Sequence, residues 1–315
     1  MSPKYSVIIP VYNRPGEVEE LLASLRKQTY TNFEVVLVED GSNITSKAVC
    51  EKYSSQLSIQ YFFKANSGPG PSRNFGFSKA KGEYFVVFDS DCVIPEEYFL
   101  IVERHLAKEP LDIWGGPDRG HDDFTLLQQA MAYSMSSVLT TGGIRGGKKR
   151  VGSFQPRSFN MGMSRRAYEQ TGGFKFDRYA EDIELSLRAA KLGLKTGLIP
   201  NAFVYHKRRA TLGQFFKQVS NFGMGRVHVG RAHPGAIRIT HWFPLLFLAG
   251  LCAIPVSLIF FPWLLLCYTV YLLAVFVDAW RTTKQIGVAL LAVPSVVVQM
   301  TGYGSGFLKA LISGR

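Results

Sequence analysis

Tyr84-Phe-Val-Val-Phe88 runs straight into Asp89-Ser90-Asp91. An uninterrupted apolar run of this length is a strand buried on both faces, as a central strand of a parallel sheet must be. Working outward, Tyr5–Val11 (Y-S-V-I-I-P-V) is a second such run, and residues 33–38, 59–63 and 111–114 supply three more. Helical patterns lie between them. Val18, Leu21, Leu22 and Leu25 share one face after Pro15-Gly16, and further helices run through Val49 and Tyr53, through Phe75 and Phe77, and over 95–105. This alternation predicts an α/β fold with a parallel sheet covered by helices on both faces.

Ligands in such sheets bind beyond the carboxyl ends of the strands, and the polar residues collect there. Asn13 and Arg14 follow the first strand, Glu39-Asp40-Gly41-Ser42 the second and Asp89-Ser90-Asp91 the fourth. Paired carboxylates on a tight turn suit a hard divalent ion that also takes substrate phosphate oxygens. Asp40 can accept a hydrogen bond from a base N–H, and Ser42 is expected to cap a helix. Asn66-Ser-Gly-Pro-Gly-Pro-Ser-Arg-Asn74 reads as a proline-stiffened loop that turns Arg73 toward a base or diphosphate. Glu181-Asp182 opens an amphipathic helix closed by Gly193. Acids there complement the helix dipole, and one that reaches an acceptor hydroxyl can serve as a general base. His206 ends a short strand pattern, while His228, His233 and His241 have no ligand spacing. A glycine-rich dinucleotide loop and a Walker lysine motif are both absent.

Hydrophobic residues make up 47% of the 315 and charged residues only 19%, which excludes a disordered chain. Cys50, Cys92, Cys252 and Cys267 are scattered without metal or disulfide spacing, so reduced thiols are expected. The net charge of +12 is unevenly placed. Residues 1–184 hold 22 Lys and Arg against 23 Asp and Glu, and residues 185–315 hold 14 against Asp278 alone. Such a rear half fits an anionic membrane or a nucleic acid, and the tail chooses the membrane. From Trp242 to Trp280 the only charge is Asp278. Two helices, near 243–260 and 263–280 with a turn at Pro262, match the ~20 residues that a bilayer core needs. Lys207, Arg208, Arg209, Lys217, Arg226, Arg231 and Arg238 precede them, and Arg281 and Lys284 follow. Basic flanks on both sides place both in the cytoplasm. Residues 285–308 are uncharged and read as a third span or a re-entrant segment. Leu212, Phe215, Phe216, Val219 and Phe222 fall on one helical face, which predicts a helix lying in the membrane interface. The expected divisions are a catalytic domain over 1–205, a basic interfacial segment over 206–241 and a transmembrane region over 242–315. Met1-Ser-Pro-Lys leads directly into a strand, so no signal peptide is expected.

Six motifs in order make the chain resemble the inverting family-two glycosyltransferases. They are V-I-I-P-V-Y-N-R (7–14), E-D-G-S (39–42), N-S-G-P-G-P-S-R-N-F-G (66–76), D-S-D (89–91), M-G-M-S-R-R-A-Y-E-Q-T-G-G-F (161–174) and E-D-I-E-L-S-L-R (181–188). The resemblance implies the GT-A nucleotide-sugar-binding fold, and a C-terminal transmembrane segment completes the expected architecture. It implies donor contacts from Pro10, Tyr12, Asp40, Arg73, Asp89 and Ser90, with Tyr12 against the base. It also implies a divalent metal, Mn²⁺ or Mg²⁺, held by Asp91 and Asp89 with His206 as a further ligand. Asp182 takes the place of the catalytic base, with Glu181 as its substitute. The segment 216–226, His233-Pro234 and the apolar helices resemble membrane-anchored exopolysaccharide transferases of the succinoglycan type. Gln218-Val-Ser-Asn-Phe222 departs from the Gln-x-x-Arg-Trp string of processive synthases.

The expected function is therefore non-processive, inverting, metal-dependent transfer from a nucleotide sugar, with a UDP-sugar the expected donor. The expected acceptor is a saccharide or polyprenyl-linked saccharide, reached at the cytoplasmic face of the membrane by a multi-pass protein. A polyprenyl-phosphate monosaccharide synthase is the rival in chemistry. The longer acceptor region, 115–155, favours the saccharide. A non-catalytic basic protein binding membrane or nucleic acid is the rival of another class, but no nucleic-acid-binding module is visible.

Overall fold

The computed structural model describes residues 2–119, 124–141, 154–206, 209–260 and 262–314. Lys207, Arg208 and Arg315, and residues 142–153 of the expected acceptor region, lie outside these. In chain order the first elements are β1 (Tyr5–Val11), α1 (Pro15–Leu25), β2 (Phe33–Asp40), α2 (Lys47–Tyr53), β3 (Ile59–Lys64) and α3 (Pro69–Lys79). Next come β4 (Tyr84–Phe88), β5 (Cys92–Val93), α4 (Tyr98–Lys108), β6 (Ile113–Gly115), β7 (Asp118–Arg119), α5 (Leu126–Ser136) and α6 (Val138–Thr141). β8 (Asn160–Ser164), α7 (Arg165–Thr171), α8 (Glu181–Lys191), β9 (Thr196–Leu198) and β10 (Val204–His206) follow. The remainder is helical: α9 (Leu212–Ala232), α10 (Phe243–Phe260), α11 (Trp263–Thr283) and α12 (Ile286–Ile312). The chain divides into two compact units, one of residues 1–121 and 153–207, the other of 122–152 and 208–315.

The first unit has the expected GT-A-like α/β fold. Its main sheet has the order β3-β2-β1-β4-β8-β6-β9. β1 pairs in parallel with β2 and β4, and β2 with β3. Side chains alternate between the two faces, as the strand period of two requires. Val7 and Ile9 join the core under α1 and α4, whereas Ile8 joins the one under α3, α7 and α8. A second sheet, β5-β10-β7, is small, and its register sets His206 opposite Cys92.

Three local expectations are corrected. The run at 111–114 becomes β6 (Ile113–Gly115), but the sheet is not parallel throughout, because another strand separates β6 from β4. β8 lies between them, antiparallel to both. β8 reads N-M-G-M-S, where Gly162 leaves room for Trp114: a Cβ there would lie 1.9 Å from the indole. Such a strand has too little apolar length to stand out in the sequence. The expected loop over 66–74 is largely helix, because α3 begins at Pro69, the first-turn position where a missing N–H costs nothing. Ser42 caps no helix. Its hydroxyl bonds to Glu39 instead, and α2 starts only at Lys47.

The second unit is helical, and α10, α11 and α12 are each long and apolar enough to cross a membrane. α10 and α11 occupy nearly the expected residues, while the third stretch forms one continuous helix. The three differ in cover: 6% of the apolar window of α10 is buried, 11% of that of α11 and 39% of that of α12. α12 is the helix on which the others pack. Asp278, the only acid after Glu184, accepts hydrogen bonds from Tyr133 Oη at 2.5 Å and Ser137 Oγ at 3.2 Å.

The apolar stripe of α9 was expected to face lipid, and most of it faces protein instead, with Phe216 alone of its five residues left 40% exposed. Phe215 and Val219 are buried with Met131 of α5, and Leu212, Phe222 and Val298 pack around them. Farther along, α9 and α12 meet backbone to backbone. A Cβ on Gly306 would stand 2.0 Å from the Ser220 carbonyl oxygen, and one on Gly223 would stand 2.2 Å from that of Tyr303. Small residues permit this approach between apolar helices. Arg231 then donates to the Ala310 carbonyl at 2.6 Å, closing the end of α12.

Two glycines of this unit should behave oppositely. Gly306→Val should cost about 1–3 kcal/mol, the usual penalty for overpacking a close contact. Gly213, whose Cβ would meet nothing within 4 Å, should accept Ala with no loss or a gain of up to ~1 kcal/mol. Denaturant unfolding of the detergent-solubilised chain checks both.

Candidate active site

The carboxyl ends of β1, β2 and β4 lie side by side because those strands are parallel neighbours. Asn13 follows β1 in the left-handed region (φ 56°). It staples the first two strand ends together: its N–H donates to Ser42 Oγ at 2.7 Å, and its Oδ1 accepts from the backbone of Asn43 and Ile44. Pro10, next to last in β1, is half-buried, and Tyr12 just beyond the strand is 51% exposed, an open aromatic face beside the site. Asp40 ends β2 and is buried. Lys64 donates to its Oδ1, as does Ser67 N at 2.9 Å, and Gly68 N donates to Oδ2 at 2.9 Å. Burial opposes its ionisation, but Lys64 and the two backbone donors outweigh that and hold the carboxyl below its ordinary range. Three of about four lone-pair positions on Asp40 are thus taken.

Gly68 carries the chain into α3 at φ +102°, where a Cβ would press on the Asp177 carbonyl at 2.7 Å. Gly70 N donates to that same carbonyl at 2.9 Å. The start of α3 is thereby locked against the chain leading to α8, and Arg73 points into the space between. Its guanidinium is buried. One nitrogen donates to Glu181 Oε1 at 2.7 Å and another to Asp89 Oδ1 at 2.9 Å. Burial pushes the Glu181 carboxyl up, Arg73 opposes this, and Asp182 adds to the rise. Asp182 stands apart from that pair. Its Oδ1 accepts from Ile183 N at 2.8 Å, and its Oδ2 lies 3.4 Å from the half-exposed Arg157.

Ser90 and Asp91 are buried beyond β4. The two carboxylate oxygens of Asp91 face different partners. Arg14 donates to Oδ2 at 2.8 Å, and His206 Nε2 lies 3.1 Å from Oδ1. Burial penalises the Asp91 charge, yet His206 and then Arg14 hold the carboxyl well below its usual range. Burial likewise disfavours the imidazolium of His206, and Asp91 overrides it. The ring stacks on Phe159 with centroids 4.9 Å apart. Cys92 completes a group in which Asp91, Cys92 and His206 each offer a donor atom within 4.8 Å of the others.

The structure therefore gathers two sets of the residues singled out by sequence: Arg73, Asp89 and Glu181 in one ion cluster, and Asp91 and His206 in another. Several residues of the site were given no role by sequence. Asn13, Arg14, Glu39 and Asn66 lie inside the quoted motifs, but their roles are hydrogen-bonding ones that carry no sequence signature. Arg157 and Cys92 gain their positions only from long-range pairing.

Residues 6–172 match the family described as Glycosyl transferase family 2. The glycosyltransferase GlyG of Streptococcus pneumoniae serotype 4 is 31% identical over 125 residues, which are 39% of this chain and 42% of that protein. The poly(ribitol-phosphate) beta-N-acetylglucosaminyltransferase TarS of Staphylococcus aureus (strain Mu50) is 42% identical over 151 residues, 42% of this chain and 26% of its own length. The chain thus spans less than half the length of these curated relatives. Among solved structures, the mannosyltransferase PcManGT from Pyrobaculum calidifontis, in complex with GDP-Man and Mn²⁺, aligns with a TM-score of 0.63. Its identity is 18%, and the alignment covers 100% of this chain and 89% of that one. A similar fold is found in S. aureus TarS 1-349 with UDP-GlcNAc, with a TM-score of 0.51 at 19% identity, covering 99% of this chain and 92% of that one.

Arg73 can be tested by substitution. Arg73→Met leaves the Glu181 carboxylate buried without a cation and should cost about 3–5 kcal/mol. Adding Glu181→Gln should restore part of it. Shifted denaturation midpoints at constant slope check the pair.

Proposed function

The chain belongs to glycosyl transferase family 2, and from that premise we propose inverting, metal-dependent transfer of a sugar from a nucleoside-diphosphate sugar to a saccharide or polyprenyl-linked saccharide. The observation that carries this reading is the convergence of Tyr12, Asp40, the Arg73–Asp89 pair, Asp91 and the Glu181–Asp182 step at the strand ends. In this reading the base stacks on Tyr12, with Pro10 beside it, and Asp40 offers its remaining lone pair to a base N–H. Arg73 and Ser90 border the ribose and diphosphate. Asp91 would hold a divalent ion, Mn²⁺ or Mg²⁺, through a carboxylate oxygen, with His206, whose Nε2 lies 3.1 Å from that carboxylate, and Asp89, whose Oδ1 is paired with Arg73, as further ligands. Such an ion neutralises charge on the departing diphosphate. PcManGT and TarS are solved with GDP-Man and UDP-GlcNAc, which supports a nucleotide-sugar donor; a UDP-sugar is our choice.

Asp182 is the proposed base. Glu181 is committed to buried Arg73, whereas Asp182 has the Ile183 N–H on one oxygen and a half-exposed arginine at 3.4 Å from the other. Its carboxylate takes the acceptor hydroxyl proton as that oxygen attacks the anomeric carbon opposite the leaving diphosphate. One displacement inverts the centre and needs no second carboxylate, unlike a retaining glycosidase. The three apolar helices support membrane association. We propose a multi-pass protein at the cytoplasmic membrane with the catalytic unit in the cytoplasm, non-processive and of the exopolysaccharide type. The divisions 1–205, 206–241 and 242–315 are retained as functional segments in this reading.

Asp182→Asn removes the proton acceptor with little change of shape and should lower turnover ~10²–10⁴-fold. Donor affinity, measured by equilibrium binding, should hardly change. An equal loss of donor binding would show that Asp182 is structural. EDTA or Asp91→Asn should abolish turnover, and full activity in EDTA would refute the metal.

A further inference from the structure

Cys92 stands next to the Asp-Ser-Asp turn, and no role in sugar transfer calls for a thiol there. The pairing of β5 with β10 sets Cys92 directly opposite His206. Opposed residues of an antiparallel pair project to the same face of the sheet. The chain then curls so that Asp91 brings Oδ1 to His206 Nε2 at 3.1 Å. Carboxylate oxygen, thiol sulfur and imidazole nitrogen all lie within 4.8 Å of one another. The Asp91 oxygen beside His206 is the one that Arg14 does not hold, and the His206 ring is fixed against Phe159. Among the described residues the sulfur makes one weak hydrogen-bond contact, 3.5 Å to the Phe159 carbonyl.

We propose that Asp91, Cys92 and His206 form a Zn²⁺ site that displaces the hard ion from Asp91 and arrests transfer. The inference rests on the preceding reading in that Asp91 serves the transfer metal. Tetrahedral Zn²⁺ with bonds of ~2.0–2.3 Å needs its donor atoms about 3.3–3.6 Å apart. Small side-chain movements close the triad to that spacing. The thiolate sulfur of Cys92 favours Zn²⁺ over Mg²⁺ or Mn²⁺, which prefer oxygen. The thiol gives its proton to water as the zinc–sulfur bond forms, and nothing is oxidised or reduced. Three protein donors leave a fourth position for water.

The test uses the full chain in detergent, carrying Cys252→Ser and Cys267→Ser so that the exposed thiols are absent. Co²⁺ should give a thiolate-to-metal charge-transfer band, and X-ray absorption of the Zn²⁺-loaded protein should show one sulfur at ~2.3 Å. Cys92→Ser should abolish both and weaken Zn²⁺ by at least about tenfold, the low end of the usual loss for an outer-shell partner. Its Mn²⁺ affinity, read by electron paramagnetic resonance, should be unchanged. In the parent, Zn²⁺ should displace Mn²⁺ one for one. Absence of sulfur from the zinc shell overturns the proposal, as does equal Zn²⁺ affinity in Cys92→Ser. If that variant fails to fold, the parent's absorption spectrum decides alone. Sulfur-bound Zn²⁺ in a parent that takes up no Mn²⁺ would overturn the transfer-metal reading and leave the zinc site standing.

Discussion

One buried guanidinium holds the catalytic unit together at its working end. Arg73 reaches from α3 to Asp89 beyond β4 and to Glu181 at the start of α8. These points are separated in sequence by 16 and 108 residues. A cation so deeply buried persists only if it is paired, so the three elements are fixed in one arrangement. Its neighbour Asn74 repeats the link in neutral form. Asn74 Nδ2 donates to the Phe174 carbonyl at 2.7 Å, and Oδ1 accepts the Phe174 N–H at 2.9 Å. Phe174 in turn lies under the guanidinium, 5.2 Å away. Charge, amide and ring together set the carboxylates at the head of α8.

The second unit is held by different physics. Its helices expose so much apolar surface that burial against water cannot be what selects their partners. Close approach does so instead: Gly223, Gly302 and Gly306 let α9 and α12 touch through their backbones, and Arg231 closes the α12 terminus. The Tyr133–Asp278 hydrogen bond supplies the polar tie between α5 and α11.

Much of the first unit was legible because its strands are long and apolar. β1 and β4 coincide with their expected bounds, and Val18, Leu21, Leu22 and Leu25 are all buried as their spacing requires. β8 was not legible, since a glycine over Trp114 shortens the hydrophobic signal of a strand held by its pairing on both sides and by buried Met161 and Met163. The start of α3 was obscured by prolines that look like a loop until the Asp177 carbonyl explains the glycines. The site residues were visible by type and position, but their partners were not. Nothing local announces that Arg14 will sit on Asp91 or that Cys92 will oppose His206. The stripe of α9 was read correctly as a stripe, and its cover, α5 and α12, lies too far along the chain for periodicity to reveal.

That distance has a consequence for how the protein is made. α9 leaves the ribosome well before α12, the helix that covers its glycines and part of its stripe. The α10–α11 hairpin separates the two in synthesis. Phe215, Val219 and Gly223 are therefore without that cover until the last helix of the unit has emerged. Non-local contacts of this kind form late and leave sticky surface behind in the interval. A nascent chain that has not yet made α12 thus presents an unfinished apolar seam along α9.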